Sequence, residues 1–224
     1  MYRRRRSRLP TRERQASRIL YGASAVNGTD QASYSFASLA VATVQGAHRV
    51  AYAFILNSVA GTTATDAEPT ACTIGGVPGA LITKWTRSIT NTACVSLYVA
   101  RLPGDTTATV DVTFPVTQRR AGCILASVIS QQLFPSLFGI LTASGTADIS
   151  GPVLVPRYGF VVAMNQHNTA VANNFAFSGA GSVEVVDTTI EGGTVMAAAT
   201  LSFNDILSIS SANDAGMDAL WIGW

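Results

Sequence analysis

The sequence predicts an all-β protein: an antiparallel β-sandwich, jelly-roll-like, preceded by an extended arginine-rich arm. Three observations lead to this class. Many segments after residue 30 alternate apolar and polar residues with a period of two, the pattern of a strand with one buried face. Short turns rich in Gly and Pro separate these segments, and no helical stretches alternate with them. The chain of 224 residues is also long enough to bury a large core.

The clearest strands lie in the middle of the chain. Residues 107–114 (TATVDVTF) and 93–102 (ACVSLYVARL) both alternate apolar and polar side chains. The PGD sequence at 103–105 between them combines a fixed φ with a residue that tolerates positive φ, so the two strands are expected to form a hairpin. The other predicted strands are 33–44, 48–58, 71–75, 79–87, 120–129, 153–165, 174–178, 182–189, 193–203 and 217–224.

One apolar segment departs from the strand pattern. Residues 131–145 contain Pro135 and Gly139, which interrupt regular strands and helices, so we expect irregular structure there. Two interpretations remain open: a crossover loop that covers one end of the sandwich, or an exposed patch that contacts another subunit. The candidate subunit-contact residues, which include the two tryptophans of the last strand, are Leu133, Phe134, Leu137, Phe138, Trp221 and Trp224.

Charge divides the chain into two predicted parts, a basic N-terminal arm at 1–20 and a single β-sandwich domain at 21–224. The arm has eight arginines against one acid, a net charge of +7, whereas the remainder has seven basic groups against twelve acids, a net charge of −5. Arginine is permanently charged and binds carboxylates or phosphates through two parallel hydrogen bonds. The predicted partner-binding residues are therefore Arg3, Arg4, Arg5, Arg6, Arg8, Arg12, Arg14 and Arg18.

The sequence contains no arrangement typical of an enzyme or a metal site. Its histidines, His48 and His167, have no ligand at metal-binding spacing, and its glycine-rich stretches lie between strands. We therefore expect no catalytic residue, metal or cofactor. No apolar run reaches the roughly 18 residues of a membrane span, so no membrane partner is expected either. The three cysteines are widely spaced and predict buried free thiols at Cys72, Cys94 and Cys123.

A short series of motifs links the middle of the chain to a known class of protein. Residues 72–129 contain a TIGGV turn (73–77) and an apolar strand. They continue with the sequence LYVARLPGDTTATVDVTF (97–114) and an arginine followed by another apolar strand. This stretch resembles a module that recurs in the virion structural proteins of tailed bacteriophages. The resemblance implies a β-sandwich located on a virion, in a decoration, fibre or adaptor protein whose partners are capsid, portal or tail proteins.

Three functions remain open at this stage. The first is a virion accessory protein (capsid decoration, cement or head spike, with a neck or tail adaptor or fibre base as the alternative) that forms a homo-oligomer and docks by its arm. The second is a small-virus coat protein whose arm neutralises packaged nucleic acid. The third is a carbohydrate-binding module, which requires exposed aromatic side chains. The candidates for that role are Trp85, Tyr98, Trp221 and Trp224. The modest charge of the arm and the resemblance favour the first function.

Overall fold

The fold consists almost entirely of antiparallel β-strands. A computed structural model describes residues 19–41, 49–61, 63–88, 91–104, 106–129, 135–143, 148–155, 158–166, 175–191, 194–211 and 217–223. The described elements up to residue 129 are β1 (Ile19–Asn27), β2 (Gln31–Ala40), β3 (Arg49–Ala60), α1 (Ala64–Ala67), β4 (Ala71–Ile74), β5 (Val77–Pro78), β6 (Ala80–Ser88), β7 (Asn91–Leu102), β8 (Thr107–Gln118) and β9 (Arg120–Ile129). Those that follow are β10 (Leu137–Ala143), β11 (Asp148–Val153), β12 (Gly159–Gln166), β13 (Phe175–Gly179), β14 (Val183–Glu191), β15 (Thr194–Leu201), β16 (Asp205–Ser211) and β17 (Met217–Gly223).

These strands form two sandwiches, each made of an inner and an outer sheet. In the first sandwich, residues 19–129, the inner sheet has the order β1-β9-β3-β7-β6 and the outer sheet β2-β8-β4-β5. In the second sandwich, residues 135–223, the inner sheet has the order β10-β17-β12-β15-β14 and the outer sheet β11-β16-β13. Most successive strands cross between inner and outer sheets, as in a jelly roll, whereas β4 and β5, β6 and β7, and β14 and β15 are paired neighbours in one sheet. The predicted all-β, antiparallel sandwich fold is therefore confirmed.

The two sandwiches stack through their inner sheets, so the described chain has four β layers. One buried apolar core lies inside each sandwich, and a third lies between the two inner sheets. In this middle core the rings of Phe54 and Phe160 have centroids 5.6 Å apart. The central strands of the inner sheets are buried on both faces, and their sequences are therefore almost continuously apolar, as in RVAYAFILNSVA of β3 and TVMAAATL of β15.

The two sandwiches share one topology. The eight strands β1 to β4 and β6 to β9 correspond, in chain order and in sheet position, to β10 to β17. The inner sheets face each other with reversed strand order, since β1 contacts β14 while β6 contacts β17. An approximate two-fold axis along the strands therefore relates the sandwiches, and facing strands run in the same direction. The chain thus contains, in one polypeptide, the arrangement of a two-fold symmetric dimer.

A buried asparagine occupies the corresponding place in each sandwich. Asn57, near the end of β3, donates from its Nδ2 to the carbonyl of Ala67 at 2.8 Å and to Oε1 of Gln118 at 2.9 Å. Asn165, at the same place in β12, donates from its Nδ2 to Oγ of Ser211 at 2.8 Å. The acceptor residues Gln118 and Ser211 are the last residues of the outer strands β8 and β16. Since buried polar groups need partners, each asparagine ties an inner sheet to its outer sheet.

The predicted hairpin of 93–102 with 107–114 is wrong, although both segments are strands. β7 pairs with β3 and β6 in the inner sheet, and β8 pairs with β2 and β4 in the outer sheet. The physical reason is the number of buried faces. β7 is buried on both sides, which only the inner sheet provides, whereas the polar face of β8 is exposed on the outside of the molecule.

The expectation of irregular structure across 131–145 is also wrong for its described second half. Residues 137–143 form β10, which pairs with β17 along its whole length. Gly139 does not break the strand, because the ring of Trp221 fills the space beside it. A Cβ atom at Gly139 would lie 2.7 Å from that ring. Residues 130–134, with Leu133 and Phe134, lie outside the described part.

Several further strands were not among those predicted. β1, β11 and β16 come from segments in which small and hydroxyl-bearing residues weaken the alternation. β1 includes Ile19 and Leu20, which the sequence assigns to the arm. The rest of the arm, residues 1–18, lies outside the described residues.

Candidate functional site

The structure describes few of the residues that the sequence predicts to bind a partner or to contact another subunit. All eight arginines of the arm lie in 1–18, and Leu133, Phe134 and Trp224 are likewise outside the described residues. Leu137 packs half-buried against the core of the second sandwich, where Trp221 is only 6% exposed. Phe138 points the other way and is 49% exposed. Of the predicted subunit-contact residues that the structure describes, Phe138 therefore presents the most apolar surface.

Charge is unevenly distributed between the two sandwiches. Residues 21–134 carry six basic groups against five acids, whereas residues 135–224 carry one arginine, Arg157, against seven acids, a net charge of −6. The described residues of the second sandwich contain neither lysine nor arginine. The second sandwich is therefore the acidic part of the protein, and it is opposite in charge to the arm.

An exposed apolar surface lies at one end of the second sandwich. We call it the end patch, and its members are 50% to 63% exposed. It consists of Leu154, Val183, Phe203 and Ile206. The pairing of β11 with β16 places Pro152 opposite Ile206 and Val153 opposite Asp205. It therefore brings Leu154, which follows Val153, near Ile206, about fifty positions away in the chain.

A tight turn at 179–182 lies against Phe203 and Ile206 of the end patch. Ala180 and Gly181 have φ angles of 48° and 58°, as in a type I′ turn, and the amide of Ser182 donates to the carbonyl of Gly179 at 2.9 Å. The ring of Phe203 lies directly over the turn, since a Cβ atom at Gly181 would be 2.5 Å from it. A Cβ atom at Gly179 would lie 2.0 Å from the Ile206 carbonyl oxygen. Glycine at these positions therefore permits the close approach of the two segments.

Carboxylates border the end patch. Glu184 follows Val183 and Asp205 precedes Ile206, and both acids are exposed. Burial, and then the proximity of Asp187, raises the pKa of Glu184 above its ordinary value. The pKa of Asp187 is also raised by burial, although the amide of Phe175, which donates to it at 2.9 Å, acts in the opposite direction. Glu184 and Asp205 place negative charge beside the patch, and the described residues of this sandwich contain neither lysine nor arginine.

An ion pair between the two sandwiches joins β6 to β17. Nη2 of Arg87 donates to Oδ1 of Asp218 at 2.7 Å and to the carbonyl of Met217 at 3.0 Å. Nε1 of Trp85 donates to the same Asp218 oxygen at 3.0 Å. Burial raises the pKa of Asp218, and Arg87 lowers it by a smaller amount. At the two-fold-related position an apolar contact replaces the ion pair, since Ile190 of β14 lies against Gly122 of β9.

The outward faces of the two outer sheets present small polar side chains. On the first sandwich, Asp111 accepts from Oγ of Ser35 at 2.6 Å and from Oγ1 of Thr73 at 3.3 Å. On the second, the hydroxyls of Ser150 and Ser208 lie 3.0 Å apart across β11 and β16. Each hydroxyl named here has a partner on a neighbouring strand.

The three cysteine thiols are buried in the described part of the structure. Burial raises the pKa of the Cys72 thiol to about 12 and that of Cys94 to about 11, and it raises that of Cys123 as well. The prediction of buried free thiols is confirmed. No group of His, Cys, Asp and Glu residues in the described ranges is arranged to hold a metal ion. His48 and His167 lie outside those ranges.

The aromatic residues named for carbohydrate binding are mostly enclosed. Tyr98 and Trp221 are buried, and Trp224 is outside the described residues. Trp85 is partly exposed, with its indole nitrogen held by Asp218. Trp85, Tyr98 and Trp221 therefore do not form a flat platform of several exposed rings. No helix in the described ranges is long and apolar enough to cross a membrane.

The end patch was not foreseen from the sequence. Its four residues lie in three separate short segments, and one or two apolar residues in a strand or turn have no distinctive pattern. The signals that could have indicated it are the GAGS turn at 179–182 and the absence of basic residues around it. Comparisons of the chain with protein-family models, with curated proteins and with solved structures found no match.

Proposed function

We propose that this chain is a structural accessory protein of a bacteriophage virion, of the capsid decoration, cement or head-spike type, which docks on the particle by its basic arm. The observation that carries the proposal is the separation of charge along the chain. Residues 1–20 concentrate +7, and the stacked sandwiches that follow carry −5. A short basic segment joined to a body of the opposite sign is suited to reach an acidic or phosphate-bearing surface.

The body of the protein supports a structural role. Four packed β layers with three continuous cores make a large rigid unit. Charged residues are 12% of the chain, about half of the usual fraction, and hydroxyl-bearing residues cover the outer faces instead. The resemblance of residues 72–129 to a module of tailed-phage structural proteins points to the same class. We propose that the protein forms a homo-oligomer on the particle, with Phe138 as a candidate contact between subunits.

Deleting residues 1–18 tests this proposal, because the described fold begins at Ile19 and should survive the deletion. Particles stripped of the protein are mixed with the full chain or the shortened chain, and the bound fraction is measured by co-sedimentation. We expect the shortened chain to fold and to lose binding to the particles. Arg119→Gln, which removes an exposed arginine of the body, is the matched control and should bind normally. Full occupancy by the shortened chain would contradict the proposal.

A small-virus coat protein is the second candidate, favoured by the jelly-roll strand order in each sandwich together with the arginine arm. In that role the arm binds phosphates of the packaged genome. The full chain should then bind single-stranded nucleic acid, with log K falling steeply with log salt at about 0.7 per phosphate contacted. The shortened chain should lose this binding. If the full chain is not retained on nucleic acid at low salt, this role is excluded.

A further inference from the structure

We propose that residues 1–18 fold back on their own chain and dock on the end patch of the second sandwich, with the arginines directed at its acidic border. The patch combines four exposed apolar residues with the adjacent carboxylates of Glu184 and Asp205. The arm matches both properties, because its eight arginines accompany the apolar residues Tyr2, Leu9 and Pro10. This inference concerns the isolated chain and does not depend on the virion role.

The arm leaves the fold at the end of the molecule that carries the patch. Ile190, near the end of β14, lies beside Gly122 of β9. A Cβ atom at Gly122 would be only 2.8 Å from Cδ1 of Ile190. Gly122 pairs with Val26 near the end of β1. The ends of β1 and β14 are therefore neighbours, and the approximate two-fold axis makes these facing strands run in the same direction. Their starts, Ile19 and Val183, consequently lie at the same end.

The distances are within reach of the arm. Facing sheets are about 10 Å apart, and neighbouring strands of a sheet about 4.8 Å. Eighteen extended residues span at most about 60 Å, several times the path from β1 to the patch. A segment tethered this close has an effective concentration in the millimolar range at the patch, so even a weak contact is occupied.

Electrostatics favours the second sandwich over the first as the docking surface. The first sandwich carries lysine and arginine among its described residues, whereas the second carries none there. Glu184 follows Val183 and Asp205 precedes Ile206, so a basic segment on the patch has carboxylates next to two of its apolar residues in the chain. Any external acceptor of the arm would have to displace it from this patch.

Hydrogen–deuterium exchange of the full chain tests the proposal twice, by changing the arm and following the patch, and by changing the patch and following the arm. In an arm variant, all eight arginines of 1–18 are replaced by glutamine, and the patch amides at 179–183 and 202–206 are followed. In a patch variant, Phe203→Ser is combined with Ile206→Ser, and the arm amides are followed. We expect the amides that are followed to exchange more slowly in the unmodified chain than in either variant. Salt at about 1 M, which shortens the screening length to about 3 Å, should have the same effect.

The controls separate docking on the same chain from nonspecific adhesion of the arm and from contact between two copies. Val116→Ser removes an exposed apolar residue of the first sandwich and should leave arm protection unchanged. Protection should also be independent of protein concentration, with the same sedimentation coefficient throughout. The proposal is overturned if the patch variant protects the arm as well as the unmodified chain does, or if Val116→Ser also abolishes protection. The proposal is also overturned if protection disappears on dilution and the sedimentation coefficient falls at the same time. That result would mean that the arm binds a second copy of the chain.

Discussion

Replacing Arg87 with methionine removes the cation of the ion pair that joins the two sandwiches. The side chains of Arg87 and Asp218 are 11% and 5% exposed, so the carboxylate that remains is buried with only the indole N–H of Trp85 as a described partner. At 2.7 Å and an effective dielectric constant of about 20, the lost attraction is about 6 kcal/mol, part of which was offset by the desolvation of both charges. Breaking buried pairs typically costs about 3–5 kcal/mol, which is the loss we expect at neutral pH.

The loss should depend on pH in a defined direction. Burial already raises the pKa of Asp218 above its ordinary value, and removing Arg87 raises it further. A carboxyl whose pKa is higher in the folded state than in the unfolded state destabilises the fold once it ionises, so stability falls as pH rises through the folded pKa. Arg87→Met should therefore lose more free energy of unfolding at about pH 8 than at about pH 4, where a larger fraction of this carboxyl is neutral.

Urea unfolding followed by tryptophan fluorescence at both pH values measures the effect. Lys84→Met is the matched control, because it breaks the exposed Lys84–Glu68 pair and should cost less than about 1 kcal/mol. The double variant Arg87→Met, Asp218→Asn should recover part of the stability that Arg87→Met loses. The reasoning is refuted if Arg87→Met loses the same free energy at both pH values, or no more than Lys84→Met does.

Three further outcomes follow from the packing. Gly139→Val should lower the unfolding free energy by about 1–3 kcal/mol, because its side chain would overlap the Trp221 ring, and Ser178→Ala on the exposed outer face should not; thermal denaturation of both compares them. Asn57→Ala should cost about 1–3 kcal/mol in urea unfolding, since it leaves the carbonyl of Ala67 and Oε1 of Gln118 without their donor; an unchanged midpoint would contradict this. In the native state a thiol reagent should label none of the three cysteines between about pH 7 and pH 9, and all of them after denaturation; rapid native labelling would refute their burial. These thiols belong to Cys72, Cys94 and Cys123.

Local pattern was enough to predict the fold class and most of the strands. The alternation in 107–114 and the apolar run at 120–129 identify β8 and β9 because a strand repeats every two residues whatever its partners. The Ala-rich segment at 194–201 is likewise a strand, as its β-branched neighbours and flanking glycines indicate. The absence of a catalytic or metal-binding motif and the basic arm are also visible in the sequence alone.

The tertiary structure decided how these strands are assembled. A turn sequence such as PGD permits both a hairpin and a crossover between sheets, and only the burial of both faces of β7 separates it from β8. Gly139 interrupts a strand in isolation, yet the Trp221 ring packed beside it makes β10 regular. The end patch follows the same rule, because strand pairing brings Leu154 and Ile206 to one surface from distant positions. Composition and period are properties of short segments, whereas sheet membership, the stacking of two sandwiches and the position of a docking surface depend on contacts between residues far apart in the chain.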